Sequence, residues 1–160
     1  MFILVDSGIL LRLVERNDPQ HAAIRVAVRA LRSSGDELVT AAQNAAEFWN
    51  VCTRPATARG GYSLSIADAD RRLRVIERLF HVLPDSPDSY KIWRGLVVAH
   101  AVKGVRVHDA RLVALMRVYG ISHILTLNAS DFARYPGIVP IDPSSLQPPP
   151  QATVSRPITS

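Results

Sequence analysis

The stretch Met1–Leu13, MFILVDSGILLRL, decides how the rest of the chain is read. Phe2, Ile3, Leu4 and Val5 make an unbroken apolar run too short for a helix and closed by Asp6 and Ser7, which predicts a strand buried on both faces. Asp6 then stands at the carboxyl end of that strand, where open α/β sheets bind their ligands. An ionised carboxylate there needs a cation, a donor or water. It is also a preferred cap for the helix expected from about Gly8, and the residues by themselves leave both roles open.

Outward from this strand the pattern alternates. Ile9, Leu10, Leu13 and Val14 carry a helical stripe that Asn17, Asp18 and Pro19 end, and His21 to Arg32 is a second amphipathic helix. Glu37 to Ala41 reads as a strand running into AAQNAAEFWNVC, a helix with Ala42, Ala45, Ala46 and Trp49 at buried spacing and Glu47 inside it. The loop Arg54 to Ser65 precedes a basic-faced helix, Ile66 to Phe80, capped by Ser63 or Ser65. His81 to Leu83 is a short strand. Ser86 and Pro87 start a helix that carries Tyr90, Trp93, Val97 and Ala101 to Gly104. His108, Asp109 and Ala110 open another, closed by Gly120, before a strand over Ile121 to Leu127, ISHILTL, and a last one over Ile138 to Ile141. Strands alternating with helices predict a single α/β/α domain over 1–141, a parallel sheet with helices on both faces. The proline-rich stretch 142–160 lacks periodicity and is expected to be a disordered tail.

Composition narrows the class. With 48% apolar and 21% charged residues the chain is ordinary globular protein, and its single cysteine, Cys52, excludes a disulfide framework or a cysteine-built zinc site. There is no basic leader before the first strand and no apolar run of membrane length, so the expected location is cytoplasmic, with no membrane partner. A net charge of +5 favours an anionic partner such as nucleic acid, although no run of five basic residues occurs.

Four positions fall at equivalent places of such a sheet: Asp6 after the first strand, Glu47 in the helix after the second, Asp109 at a helix start and Asn128 after ISHILTL. Three carboxylates facing one crevice repel one another unless a hard divalent cation lies between them. Without a histidine pair or a second cysteine the donors are oxygens, which suit Mg²⁺ or Mn²⁺.

In that order and at those separations, FILVDSGILLRL, the Glu of AAEFWNV, HDARLVALMRVYG and ILTLNASDF resemble a PIN-domain nuclease, most like the VapC-type toxins of bacterial toxin–antitoxin pairs. The resemblance covers Met1 to about Pro143. It implies a PIN-like α/β/α fold and a Mg²⁺-dependent endoribonuclease in which Asp6, Glu47 and Asp109 hold the metal, Asn128 completes the catalytic set and Ser7 supports it. RNA, a cognate antitoxin and a second copy of the chain in a homodimer are the implied partners. Gly8 stands where the family more often has Asn or Ser, and Asn128 where many members have a fourth carboxylate; Asp131 is a substitute for the latter or a helix cap. Arg12, Arg54, Arg59, Arg71, Arg72 and Arg74 are candidates to attract RNA, each weighed against an ordinary surface role.

Other chemistries fit less well. A haloacid-dehalogenase-like phosphatase needs a second aspartate where Gly8 stands, and a phosphoacceptor domain needs a lysine after a late strand, which neither Lys91 nor Lys103 supplies. The remaining rival is a non-catalytic PIN-fold module that binds nucleic acid or protein. Metal-dependent RNA cleavage separates the two.

Overall fold

The computed structural model describes residues 1–146. The decisive first stretch forms β1 (Phe2–Val5) and α1 (Ser7–Val14), followed by α2 (His21–Ser33), β2 (Glu37–Ala41), α3 (Ala42–Thr53), α4 (Ile66–Leu79), β3 (His81–Leu83), α5 (Ser89–Ala99), a 3-10 turn (Gly104–Arg106), α6 (Val107–Val118), β4 (His123–Leu125), α7 (Ala129–Ala133), β5 (Val139–Ile141) and a second 3-10 turn (Pro143–Leu146). All strand pairs are parallel, in the order β3-β2-β1-β4-β5.

β1 is the central strand, and its two faces bury different residues. Ile3 and Val5 pack with Ile9, Leu10, Ile24, Phe48 and Ile76 of α1 to α4, while Leu4 packs with Leu96, Leu112, Val113, Met116 and Phe132 of α5 to α7. That is why the run FILV has no polar alternation. The chain proceeds from β1 to β2 and β3 on one side, then returns to place β4 and β5 on the other. The strand order therefore reverses between β1 and β4, the topological switch point where a crevice opens beyond the carboxyl ends of the strands.

The structure corrects several sequence expectations. β4 keeps only three of the seven residues in ISHILTL, because Ile121 is tied back to the end of α6 through Met116 O (2.8 Å) and Thr126 turns its hydroxyl toward Asp6. α5 starts at Ser89, since Ser86 closes a turn that accepts from Ser89 N (3.1 Å) and Ser89 Oγ (2.6 Å). It ends at Ala99, and the expected stripe member Tyr90 is 65% exposed while Leu96 is buried. α3 buries Gln43, Asn44, Phe48 and Cys52 in place of the alanine stripe. Ser65, not Ser63, caps α4 by accepting from Asp68 N. The first residues of the proposed tail belong to the fold: Pro143 is buried in the 3-10 turn against α2, and Leu146 packs on the α1 to α4 side of the core. The rest of that stretch lies outside the described residues.

Candidate active site

Asp6 sits at the switch point and has a double role. As the N-cap of α1 its Oδ1 accepts from Ser7 N at 2.7 Å, and its Oδ2 accepts from Thr126 Oγ1 at 2.7 Å. Thr126 is fully buried just beyond β4 and fixes the second carboxylate oxygen. Burial pushes the Asp6 carboxyl above its ordinary range, opposed by the Thr126 hydrogen bond and reinforced by repulsion from Glu47.

Glu47 is brought to Asp6 by the α1 start and by its own helix. Ser7 Oγ donates to Glu47 Oε2 at 2.8 Å, and Gln43 Nε2, one turn earlier on α3, donates to Glu47 Oε1 at 2.9 Å. The same amide nitrogen donates to the carbonyl of His108 at 3.0 Å, which joins α3 to the first turn of α6 beside Asp109. Glu47 is thus oriented by neutral donors that leave its charge uncompensated.

Asp109 is half-buried, and its carboxyl is pushed up to about 6 by loss of water, then by repulsion from Asp131, Asp6 and Glu47. Asp131, in the first turn of α7, is the strongest of those charges, ahead of Asp6. Asn128 is exposed; its N–H donates to Thr126 Oγ1 (3.1 Å) and its carbonyl accepts from Asp131 N (3.0 Å), so its backbone builds the turn that delivers Asp131. In this structure Asp131, rather than Asn128, brings a fourth negative charge to the group. Sequence reasoning missed Thr126, Gln43 and Asn44. Two buried amides inside an otherwise alanine-rich helix were the available signal.

No arginine or lysine forms an ion pair with Asp6, Glu47, Asp109 or Asp131 among the described residues. Nor, among the described residues, do three His, Cys, Asp or Glu side chains stand ready-made around one point. Asp6 is held by Ser7 and Thr126, and Glu47 by Ser7 and Gln43. Mg²⁺ is commonly held by one or two carboxylates with water completing the octahedron. An oxygen-only donor set whose carboxylates repel one another, with no Lys or Arg paired to them among the described residues, fits such an ion.

The predicted arginines divide. Arg71 pairs with Asp68 (3.0 Å), Arg72 with Glu15 (2.9 Å) and Arg74 with Asp70 (2.8 Å), while Arg12 donates to Gly8 O (3.1 Å) and lies 3.7 Å from Asp18. Arg54 donates to the carbonyl of Arg59, and the Arg59 side chain is exposed. None of the six pairs with the four carboxylates. A groove of about 680 Å³ opens elsewhere, lined by Leu13, Val28 and Leu79 with Arg16, Arg25 and Arg29. These three arginines have no acidic partner among the described residues.

A family model described as PIN domain matches residues 3–138 of this chain. The protein belongs to the PIN-domain family. Solved structures with the same fold include VapBC2 from Rickettsia felis bound to a DNA fragment from its promoter, with a TM-score of 0.64 at 10% identity over 89% of this chain and 98% of that one. VapBC-1 from nontypeable Haemophilus influenzae gives 0.62 at 16% identity over 90% and 99%. VapC20 of Mycobacterium tuberculosis, described as a sarcin-ricin loop cleaving toxin, gives 0.55 at 20% identity over 76% and 86%. No curated protein sequence matches this chain. At these identities the likeness establishes the α/β/α fold of a PIN domain. No helix among the described residues is long and apolar enough to cross a membrane.

The raised Asp109 carboxyl gives a test within the metal-free PIN domain. Its pKa rises from 3.8 unfolded to about 6 folded, so the folded state holds the proton more tightly. The penalty of ionising it is fully present above about pH 6 and fades as the pH falls toward 4. Asp6, also raised, has the same sign, whereas Glu15, held down by Arg72, loses its contribution only below the ordinary carboxylate range. Wild-type protein should therefore gain melting temperature relative to Asp109→Asn as the pH is lowered from about 7.5 to 5.5. Parallel curves for the two proteins would show that Asp109 is not under this stress.

Proposed function

We propose that this PIN domain is a metal-dependent endoribonuclease acting as the toxin of a type II toxin–antitoxin pair. What supports the reading is the mutual repulsion of Asp6, Glu47, Asp109 and Asp131, brought near one another from four different segments, with no basic side chain paired to them among the described residues. Asp6 and Asp109 would hold Mg²⁺ or Mn²⁺, with Glu47 and Asp131 beside them. When bound, such an ion supplies polarisation of a phosphodiester and a lowered pKa for water. Glu47, held at both oxygens by Ser7 and Gln43, would orient water and accept its proton. Ser7 and Thr126 hold the acceptors in place.

Incubating single-stranded RNA with the full chain in Mg²⁺, then with excess chelator, tests the reading. Cleavage that the chelator stops and added Mg²⁺ restores is expected. Binding without cleavage would make the protein a nucleic-acid-binding module instead.

The fourth charge also sets an expectation. Asp131→Asn should raise the Mg²⁺ concentration for half-maximal cleavage by about tenfold, while Asn128→Asp, which adds a charge, should lower it. A titration in which Asp131→Asn matches wild type and Asn128→Ala does not would move the fourth position to Asn128.

The antitoxin would present an acidic amphipathic segment to the groove between α2 and the ends of α1 and α4, where Leu13, Val28 and Leu79 form an apolar floor beneath Arg16, Arg25 and Arg29. Charge complementarity supports that occupant. Co-purification with the product of an adjacent small gene should be lost in Arg25→Glu/Arg29→Glu; retention of the complex would place the antitoxin elsewhere.

A further inference from the structure

Gln43 stands out as an amide on a buried helix face where only one end of the group finds partners. It is 7% exposed, on the buried face of α3, and its Oε1 is buried without a hydrogen-bond partner. A methionine or leucine would fill the same space without stranding an amide oxygen, which is a cost to the fold. What an apolar side chain would lack is the NH₂ group. Both of its hydrogens are used, one toward Glu47 Oε1 at 2.9 Å and the other toward the His108 carbonyl at 3.0 Å. Both partners are acceptors, so the amide orientation is fixed by chemistry: turned over, its oxygen would face a carboxylate and a carbonyl.

The two partners belong to different parts of the crevice. Glu47 lies one helical turn after Gln43 on α3, and His108 is the residue before Asp109 in the first turn of α6. One amide nitrogen therefore sets where the Glu47 carboxylate points and how far the α6 start, with Asp109, stands from it. Ser7 performs half of this task from the other side through Glu47 Oε2, but makes no bond to α6. Donation by a neutral group also orients Glu47 without cancelling its charge, which an arginine or lysine would do.

We propose that Gln43 is a positioning residue that pre-sets the distance between Glu47 and Asp109 for a divalent cation. This rests on the metal-dependent reading above. It assigns no direct contact between Gln43 and the ion or the RNA.

The test uses the full chain with Mn²⁺ as the probe, in calorimetric titration without RNA and in cleavage of a single-stranded RNA. Gln43→Met keeps the volume and removes the donor. It should weaken Mn²⁺ binding about 10- to 100-fold, as loss of an outer hydrogen-bond partner commonly does. The Mn²⁺ needed for half-maximal cleavage should rise in parallel, with recovery of rate at saturating Mn²⁺ and a metal-free melting temperature equal to or above wild type. Gln43→Glu, which keeps the shape but sets a carboxylate against Glu47, should be at least as impaired at low Mn²⁺ and serves if the methionine variant does not fold. In a Glu47→Gln background, replacing Gln43 should change Mn²⁺ affinity several-fold less than in wild type, because the part of its effect that passes through Glu47 is gone and only its hold on the His108 carbonyl remains. Wild-type Mn²⁺ affinity in Gln43→Met, or an equal loss in the Glu47→Gln background, would overturn the proposal. Failure of the wild-type protein to bind Mn²⁺ or cut RNA would instead overturn the metal-dependent reading.

Discussion

Asp6→Asn and Asp109→Asn should each lower RNA cleavage by at least about a thousandfold, while the metal-free protein should melt at the same temperature or higher. The loss follows from the proposed function: a thousandfold corresponds to about 4 kcal/mol of transition-state stabilisation, within what a correctly held cation supplies to phosphodiester cleavage. The gain or parity in stability follows from the geometry. Burial and neighbouring carboxylates disfavour the ionised form of both residues, so replacing either by a neutral amide removes repulsion. At position 6 the amide oxygen can still accept from Ser7 N, and asparagine is among the good N-caps. The Thr126 hydroxyl can rotate to accept from the new NH₂. At position 109 the relief includes the charge of Asp131. Stability and activity moving in opposite directions would mark a functional cluster; both falling together would mark Asp6 and Asp109 as structural supports.

The second large effect concerns Asn44, whose neutral side chain is fully buried. β1 and β2 are paired only as far as Leu4 opposite Val39, so the Val5 carbonyl lies beyond the last paired residue. Thr40 Oγ1 and Asn44 Nδ2 both donate to it at 2.9 Å, and Asn44 also donates to Thr40 Oγ1 at 3.3 Å. These bonds anchor the residue immediately before Asp6. Asn44→Asp replaces a donor with a buried charge facing a carbonyl oxygen, and should cost about 3–5 kcal/mol near neutral pH. Asn44→Ala loses the bonds without adding a charge, and about 2 kcal/mol is expected. In a chain of this size that is a fall in melting temperature of roughly 4–8 °C for the alanine variant. Denaturant unfolding checks both values. An aspartate variant within about 0.5 kcal/mol of wild type would mean that the region beyond β1 is open to water.

How much of this was legible in the sequence depended on whether local pattern or tertiary contact decided the outcome. FILV announced a strand buried on both faces because it has no polar alternation, and Asp6 followed from its place at the strand end. Glu47 was conspicuous among alanines. Of the two readings offered for Asp6, the structure shows the helix cap: one oxygen accepts from Ser7 N and the other from Thr126 Oγ1, while the metal-binding role belongs to the proposed function. Thr126 was hidden inside an apolar-looking strand, and only the adjacency of β1 and β4 gives its hydroxyl a purpose. Gln43 and Asn44 were passed over because alanine spacing suggested a different buried face for α3. Their burial is driven by backbone carbonyls contributed by β1 and α6, which no local pattern displays. The arginines of α4 were visible as charge, but their pairing with Asp68, Asp70 and Glu15 required either helical spacing or the packing of α4 against α1. The prolines after Asp142 suggested a tail, whereas Pro143 and Leu146 find apolar surface beside α2.

The central claim is that the crowded carboxylates form a site for a hard divalent cation. The most direct measurement is the melting temperature at pH 7.5 as Mg²⁺ is added to wild-type protein and to Asp109→Asn. Wild type should rise with the logarithm of Mg²⁺ once the dissociation constant is passed, gaining about 2.7 kcal/mol at a hundred times that concentration. Asp109→Asn, which starts at the same temperature or higher, should stay nearly flat over the same range. Equal responses in the two proteins, or none in wild type, would contradict the account.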